Sequence, residues 1–204
     1  MLTKERKQQI EKWKERDVSW SQLSSWMFSK DQWAFKYIFD KRDEANQAML
    51  FGNVVGGSLG TPHSMVPKLN PHLVGIKEYK LRVKMGNRFL LGFCDHYCPD
   101  TLVLNENKTS QTEDRWTAKK VDEHGQLTMY ALMLYLRDKV KPEDLTIFLN
   151  FIPVTIGGDF QLHVDPDKYK IFSTKRTTRD CLMFGAFIDK TLKDMEEYAK
   201  VVDE

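Results

Sequence analysis

Three stretches in the middle of the chain alternate between apolar and polar residues. Successive side chains of a β-strand point to opposite faces, so alternation with a period of two predicts strands. We predict them near residues 78–84, 88–96 and 101–109. Gly86-Asn87 and Cys98-Pro99-Asp100 lie between them and supply the residues that turns prefer. The pattern therefore predicts strands that follow one another through tight turns.

Other stretches repeat their apolar residues every three to four positions, which is typical of helices with one buried face. These helices are predicted at residues 3–16, 21–39 and 119–138, with a last one that Thr177 or Thr178 caps and that runs to about residue 202. Two more strands are predicted at 144–153 and 158–164, and a polar connection or further helix at 41–50. Four glycines and three prolines predict an irregular loop at 56–75.

Two acidic residues and a lysine fall on the second and third of the central strands. Alternation places Leu102, Leu104, Glu106 and Lys108 on one face of their strand, and Asp95 comes from its neighbour. Carboxylate oxygens are the ligands that hard divalent cations prefer. A metal centre with Lys108 beside it is one interpretation, and a solvated hairpin with an ordinary salt bridge is the other.

The order Asp95, Glu106, Lys108 resembles the signature of the PD-(D/E)XK nuclease superfamily, an Asp followed by Glu-x-Lys on the next strand. The resemblance implies that Asp95, Glu106 and the carbonyl of Asn107 bind Mg²⁺ or Mn²⁺, and that Lys108 is catalytic. It also places Glu78, on the preceding strand, near the metal or its waters. Asp100 is the alternative to Asp95, although Pro99-Asp100 also suits a plain turn.

Two further segments resemble the RecB-type exonuclease branch of this superfamily. Gln126 and Tyr130 are four residues apart on a predicted helix, and in that branch such a pair approaches the DNA backbone. The alternative is a core tyrosine and a polar residue at the helix start. The segment from Ser19 to Ile38 is similar to the branch's opening helix, and we assign its aromatic residues to the core. The implied fold is a restriction-endonuclease-like α/β core, a central mixed β-sheet flanked by helices, plus N-terminal helices.

We expect a single nuclease domain over residues 1–204. It would comprise a helical N-terminal segment at 1–50, a loop-rich connection at 51–77 and a catalytic α/β core at 78–204.

One position departs from the RecB-type pattern. Gly56 stands where that branch usually has a metal-binding His, and Gly56-Gly57-Ser58 has the composition of a flexible linker. His63 and His72 are the nearest candidates to replace the ligand, although each lies beside a proline in a predicted loop. Loss of the ligand would weaken metal binding.

Basic and aromatic residues outside these motifs are candidate DNA contacts. Arg115 and Trp116 follow the Glu106 strand and could hold a phosphate and stack a base, with core packing of Trp116 as the alternative. Lys175 and Arg176 belong to a basic cluster ahead of the last helix, and they are candidate phosphate contacts or ordinary surface cations.

Composition limits the remaining possibilities. A net charge of only +2 over 204 residues argues against a protein that coats DNA non-specifically. Three scattered cysteines suit a reducing, cytoplasmic setting and predict no iron–sulfur cluster of the kind that relatives among the CRISPR-adaptation nucleases carry. The charged N-terminus does not resemble a signal peptide, and no apolar run is long enough for a membrane span.

The sequence thus predicts a metal-dependent DNA nuclease, and the RecB-type resemblance favours an exonuclease acting on single strands or duplex ends. The alternative is a catalytically weakened nuclease fold that binds DNA or a protein partner. An unrelated α/β protein with chance motifs is a third. DNA is the expected partner, and a recombination or replication protein is a further candidate. Repair, recombination and phage genome processing are all compatible settings, and a phage origin is among them.

Overall fold

The computed structural model describes residues 3–41, 44, 46–112, 114–158 and 161–202. Its helices are α1 (Lys4–Lys14), α2 (Trp20–Phe28), α3 (Lys30–Tyr37), α4 (Gln47–Ser58), α5 (Ala118–Asp122), α6 (Gly125–Asp138) and α7 (Thr178–Val201). Its strands are β1 (Val18–Ser19), β2 (Ile76–Met85), β3 (Arg88–Cys98), β4 (Val103–Ser110), β5 (Thr146–Ile156), β6 (Leu162–Val164) and β7 (Lys170–Thr174). Short 3₁₀ turns occupy Pro67–His72 and Pro142–Asp144.

The described strands form one mixed sheet. Strand β3 pairs antiparallel with β2 along one edge, and its other edge is shared by β1 and β4. Strand β4 then runs parallel to β5, whose far edge carries β7, and the end of β5 pairs with β6; both of these pairings are antiparallel. The predicted mixed sheet flanked by helices is confirmed.

Helices cover the sheet because their apolar faces need a partner surface. Eight consecutive residues of α6, Leu127 to Leu134, are buried, so this helix lies within the core. The long helix α7 packs beside it and starts with a capping box in which Thr177 and Asp180 exchange hydrogen bonds. In the N-terminal helices Trp33 makes edge-on contacts with both Trp13 and Trp26 in the same core, as expected for Trp26 and Trp33.

A second, smaller core lies under α4. Val55 and Leu59 from this helix pack with Val66, Leu69 and Leu73 against Ile152 of β5. The prediction of an irregular loop from residue 56 is therefore wrong at its start, since α4 continues through Gly56 and Gly57 to Ser58. Apolar packing of Val55 and Leu59 outweighs the low helix propensity of glycine, which costs about 1 kcal/mol per residue.

Other element boundaries differ in smaller ways. The predicted helix at 21–39 is two helices that break at Ser29, and the one at 119–138 breaks between α5 and α6. Strand β7 was not predicted, and Asp159 and Phe160 of the predicted strand at 158–164 lie outside the described residues. None of the described helices has the length and apolar character needed to cross a membrane.

Candidate active site

Acidic residues from three neighbouring strands lie in one row across the sheet. The β2–β3 pairing joins Lys77 to His96 and Tyr79 to Cys94, which sets Glu78 opposite Asp95. The β3–β4 pairing ends with His96 and Asn105, so the next two positions, Asp95 and Glu106, face each other where the strands separate. Opposed residues on adjacent strands are close neighbours. Local backbone pairing therefore brings Glu78, Asp95 and Glu106 together.

Glu78 has an unusual backbone. Its φ of 52° lies in the left-handed region, which is strained for a residue with a side chain. The described ladder has no pair at this position although it continues on both sides. Such strain costs roughly 1–3 kcal/mol and is concentrated at functional sites. Unlike the other two acids, Glu78 is exposed.

Main-chain and side-chain hydrogen bonds fix the two inner acids. Asp95 Oδ2 accepts a hydrogen bond from the backbone N–H of Asn107 at 2.5 Å. This side-chain bond continues the contact between β3 and β4 beyond their last backbone pair, His96 and Asn105. Lys108 Nζ donates to Glu106 Oε1 at 2.5 Å, and the Glu106 side chain is only 4% exposed. Glu106 Oε2 is buried without a hydrogen-bond partner among the described residues. One oxygen of the buried carboxylate is thus left to accept a ligand.

The electrostatics of the row favour a bound cation. Burial, and then the negative charge of Glu106, raise the pKa of Asp95 to about 8. Burial also raises the pKa of Glu106, against the opposing charge and hydrogen bond of Lys108. For Lys108 burial acts to lower the pKa, but Glu106 outweighs it and the pKa is raised. Two carboxylates that repel each other in a buried setting become stable as anions when a positive charge lies between them.

The oxygen atoms of Asp95, Glu106 and Asn107 are few, but they are of the kind that a divalent cation binds. Asp95, Glu106 and Asn107 line the same cleft, and the unpartnered Glu106 oxygen is open to a ligand. Within the described ranges, no three His, Cys, Asp or Glu side chains are grouped as metal ligands. Two carboxylates and a main-chain oxygen suit Mg²⁺, which keeps several waters and takes few carboxylates.

Helix α4 forms the opposite wall of this cleft, whose volume is about 670 Å³. Gly52 lets the helix approach β4, because a Cβ there would lie 2.8 Å from Thr109 Oγ1. Gly56 also lines the cleft, and a Cβ built on it meets nothing within 4 Å. The interpretation of Gly56-Gly57-Ser58 as a flexible linker is wrong, because these residues are helical.

Neither histidine proposed to replace a ligand reaches the cleft. His63 and His72 are both exposed, and neither is among its lining residues. Asp100, the alternative to Asp95, is exposed in the turn after β3.

Tyr130 supports the site from behind. Its hydroxyl donates to the carbonyl of Phe93 at 2.7 Å and accepts from Gln126 Nε2 at 2.7 Å. The ring is 3% exposed and lies against Gly92, where a Cβ would be only 2.6 Å from Tyr130 Cε1. The prediction that Tyr130 contacts DNA is wrong, because its buried hydroxyl is hydrogen-bonded to Phe93 and Gln126 within the protein. The pair Gln126–Tyr130 instead holds β3 two residues before Asp95.

Two buried asparagines behind the site, Asn105 and Asn150, were not singled out in the sequence. Asn150 Nδ2 of β5 donates to Asn105 Oδ1 at 3.1 Å and to Asn107 Oδ1 at 3.0 Å. Asn105 Nδ2 in turn donates to the carbonyl of His72. These bonds tie β4 to β5 directly beside Glu106. An asparagine in the otherwise apolar β5 was the signal that could have found this network.

The predicted basic cluster divides into a surface residue and a core residue. Lys175 is exposed, with Nζ 3.4 Å from Thr146 Oγ1. Arg176 is 4% exposed, and its guanidinium donates to Thr128, Thr174 and the carbonyl of Val121. The prediction that Arg176 contacts DNA phosphates is wrong, because this side chain links β7 to α5 and α6 inside the protein.

Arg115 and Trp116 line a second cleft, outside the acidic row. The residues Trp20, His124 and Phe184 share its lining.

Comparisons with known proteins locate the fold. No family model matches the chain, and no curated protein matches it. A protein of proposed exonuclease function from Eubacterium rectale is similar in structure, with a TM-score of 0.60 at 13% identity, covering 100% of this chain and 88% of that one. A phage-related exonuclease from Haemophilus somnus has a TM-score of 0.51 at 17% identity, over 88% of this chain and 79% of its own.

The alkaline exonuclease of Laribacter hongkongensis, solved with dAMP, has a TM-score of 0.50 at 13% identity, over 90% and 89% of the two chains. Identities this low establish common architecture and leave the activity open. The chain therefore has the mixed α/β fold of these exonuclease structures.

Proposed function

We propose that this protein is a metal-dependent nuclease of the PD-(D/E)XK type that hydrolyses phosphodiester bonds in DNA. The observation that carries the proposal is the row of Glu78, Asp95 and Glu106 across three paired strands, with Lys108 hydrogen-bonded to Glu106 at its end. A surface salt bridge would not need the buried, unpartnered Glu106 oxygen or the raised pKa of Asp95. Both features suit a cation-binding centre.

Each residue has a role that follows from its position. Asp95, Glu106 and the carbonyl of Asn107 would hold Mg²⁺ or Mn²⁺. When bound, the ion polarises a phosphoryl oxygen and acidifies a water. Lys108, half-buried beside Glu106, supplies fixed positive charge that orients the attacking water or stabilises charge developing on the phosphate. Glu78, exposed at the edge of the row, would hydrogen-bond water near the ion.

An exonuclease acting on single strands or duplex ends is the preferred form of this activity. The Haemophilus somnus and Laribacter hongkongensis proteins, both exonucleases of similar fold, support that choice. A cytoplasmic location and a recombination or replication partner remain predictions of the sequence.

A cleavage assay with matched variants tests the proposal. End-labelled linear single-stranded and duplex DNA, with circular DNA as the comparison, is incubated with Mg²⁺, Mn²⁺ or EDTA. We expect loss of linear substrate only with metal, and a loss of rate of about 10²–10³-fold or more in Glu106→Gln and Lys108→Ala, the size typical for removal of one electrostatic group. Lys119→Glu, on an exposed side chain outside the cleft, is the control. Undiminished cleavage in both site variants would refute the assignment.

A weakened nuclease that binds DNA or a protein is the second candidate, and Gly56 favours it. This glycine lines the cleft at the position of the expected histidine and offers no ligand. Because a Cβ meets nothing within 4 Å there, Gly56→His adds an imidazole without a clash at its first atom. We expect Mn²⁺ affinity measured by calorimetry to rise about tenfold, equivalent to ~1.4 kcal/mol.

Gly56→Ala is the control for the change in helix propensity. If Gly56→His improves Mn²⁺ binding and cleavage together, the native protein is a weakened enzyme. If native cleavage is already fast and Gly56→His slows it, the weakened-module candidate is excluded.

A further inference from the structure

A second cleft, of about 780 Å³, opens beside the sheet where the chain leaves β4. We call it the aromatic cleft, lined among others by Trp20, Arg115, Trp116, Lys120, His124 and Phe184. Its size falls in the range of about 300–1,000 Å³ that small-molecule sites occupy.

Aromatic rings form a continuous row along this cleft. The ring of Trp116 lies 4.8 Å from that of His124, which lies 5.8 Å from Trp20. Trp20 is 6.3 Å from Phe184, which stacks on Phe187 at 5.7 Å. Trp20, Trp116 and Phe184 are only partly buried, and Phe187 is 40% exposed. Partly exposed π-faces in a row suit flat, aromatic ligands such as nucleobases.

Gly125, the first residue of α6, shapes the floor. A Cβ there would lie 2.3 Å from Trp20 Cη2 and 3.2 Å from Phe184 Cζ, so only glycine lets both rings reach the backbone. Helix α6 has 14 residues, and the side chain of its N-cap residue, His124, makes no capping hydrogen bond. Its first turn therefore adds partial positive charge at the floor of the cleft.

Two cations border the rings. Arg115 and Lys120 are both exposed, and neither pairs with a carboxylate among the described residues. Lys120 Nζ donates to the carbonyl of Arg115 at 3.0 Å, which holds the two residues together. Glu123 is the acidic residue in the lining, so the cations outnumber it.

The aromatic cleft lies close to the acidic row. Burial, followed by the positive charges of Lys108 and Arg176, lowers the pKa of His124 to about 4, so Lys108 is within electrostatic reach of this ring. Gln126, next to Gly125 on α6, is bonded to Tyr130 and through it to β3. The start of α6 is therefore connected to β3 two residues before Asp95.

We propose that the aromatic cleft binds an unpaired nucleotide of single-stranded DNA, with its base on the ring row and its phosphates against Arg115 and Lys120. This rests on the proposed nuclease function and specifies its substrate, because a base within a duplex cannot present its face to the rings. A protein segment that uses the same rings as apolar contacts is the competing occupant.

The test measures binding without cleavage. Fluorescein-labelled dT12, an abasic strand of equal length and a 12-base-pair duplex are titrated with the full chain in EDTA, and anisotropy is recorded. We expect dT12 to bind more tightly than the other two. Trp116→Ala is expected to weaken dT12 binding about tenfold, within the range for one base–aromatic stack, and to leave abasic binding unchanged.

Charge variants give a second, independent arm. Arg115→Glu and Lys120→Glu should each weaken dT12 binding about tenfold. Each should also reduce the slope of log K against log salt concentration by about 0.7, the value for one phosphate contact on a single strand. Lys141→Glu, an exposed lysine beyond the opposite end of α6 and outside the cleft, is the control and should change affinity less than about twofold. Arg115 is exposed, so this arm stands even if Trp116→Ala fails to fold, as circular dichroism would reveal.

Several outcomes overturn the proposal. Equal loss of dT12 and abasic binding in Trp116→Ala removes the stacking role. Equal loss in Lys141→Glu and Lys120→Glu indicates that the charge of the whole surface, and not the cleft, attracts the DNA. Unchanged dT12 affinity in all cleft variants leaves the protein segment as the occupant. Because no metal and no cleavage are involved, failure here is distinguishable from failure of the nuclease assay.

Discussion

The acidic row and the aromatic cleft are built in different ways. The acids come from three consecutive strands whose pairing register places Glu78, Asp95 and Glu106 side by side. The rings come from α2, the segment after β4, the start of α6 and the middle of α7. Backbone hydrogen bonds position the first group, and side-chain packing between distant segments positions the second.

This difference sets how each site responds to change. Glu106 in the acidic row is charged and buried, so removal of its partner Lys108 leaves an uncompensated charge. Partners in the aromatic cleft are neutral and partly exposed, so a lost contact is replaced by solvent at small cost. Substitutions in the row should therefore alter stability and chemistry together, whereas those in the cleft should alter binding with little effect on the fold.

Removal of Lys108 is expected to have the largest effect on stability. Glu106 is 4% exposed and its Oε1 depends on Lys108 Nζ at 2.5 Å. Lys108→Ala should lower the free energy of unfolding by about 3–5 kcal/mol at pH 8 in EDTA, the usual cost of breaking a buried pair. Denaturant titration measures it.

The double variant Lys108→Ala/Glu106→Gln is the control, because it removes the stranded charge as well. We expect it to recover most of the lost stability, a coupling that a double-mutant cycle quantifies. Additive losses would mean that the two side chains do not depend on each other.

Two glycine substitutions compare the sites directly. In Gly92→Ala the new Cβ would lie 2.6 Å from the buried Tyr130 ring, and overpacking of this kind costs about 1–3 kcal/mol. In Gly125→Ala it would meet Trp20, a partly exposed ring that has room to move into the cleft. We expect a loss of about 1 kcal/mol at Gly125, near the lower end for overpacking, with a shift in tryptophan fluorescence.

Gly56→Ala is the matched change in open space, where nothing lies within 4 Å. It should stabilise the protein by about 0.5 kcal/mol through helix propensity. Equal losses at Gly92 and Gly56 would show that space at these positions does not decide the effect.

The pH dependence of stability is specific to the acidic row. The pKa of Asp95 is about 8 in the folded protein and ordinary, near 3.8, when unfolded. The folded state thus holds an extra proton between those values, and the free energy of unfolding falls as pH rises through this window. Between pH 6.5 and 8 in EDTA the expected fall is about 1.5 kcal/mol.

Asp95→Asn should remove this fall in the free energy of unfolding. Added Mn²⁺ should offset the fall in the native protein and have no such effect in Asp95→Asn. His96 and His124, whose pKa values are lowered to about 4, act in the opposite direction, because their unfolded imidazoles are still half protonated at pH 6.5. Each offsets about 0.4 kcal/mol between pH 6.5 and 8, so the difference between the native protein and Asp95→Asn isolates the contribution of Asp95. An identical slope in native protein and Asp95→Asn would mean that Asp95 is not protonated there.

The sequence predicted the acidic row well because its features are local. Alternation and the turns at Gly86 and Pro99 define β3 and β4, and the spacing of Asp95 and Glu106 around the second turn brings them opposite each other. The predictions for Arg176 and Tyr130 were wrong about exposure, because the partners that bury them, Thr128 and Phe93, are 48 and 37 positions away. The end of α4, from Gly56 to Ser58, was missed because Val55 and Leu59 are stabilised by contacts with β5, which glycine content does not reveal.

The amino-acid sequence by itself determined the central strands, most of the helices and the residues of the acidic row, because period-two alternation, three-to-four spacing and turn residues act over a few positions. Only the tertiary structure decided that Arg176 lies inside, that three asparagines brace β4, and that rings from four segments line one cleft. Those arrangements depend on which distant surfaces pack together, and the free energy of that packing is shared among residues that no local pattern connects.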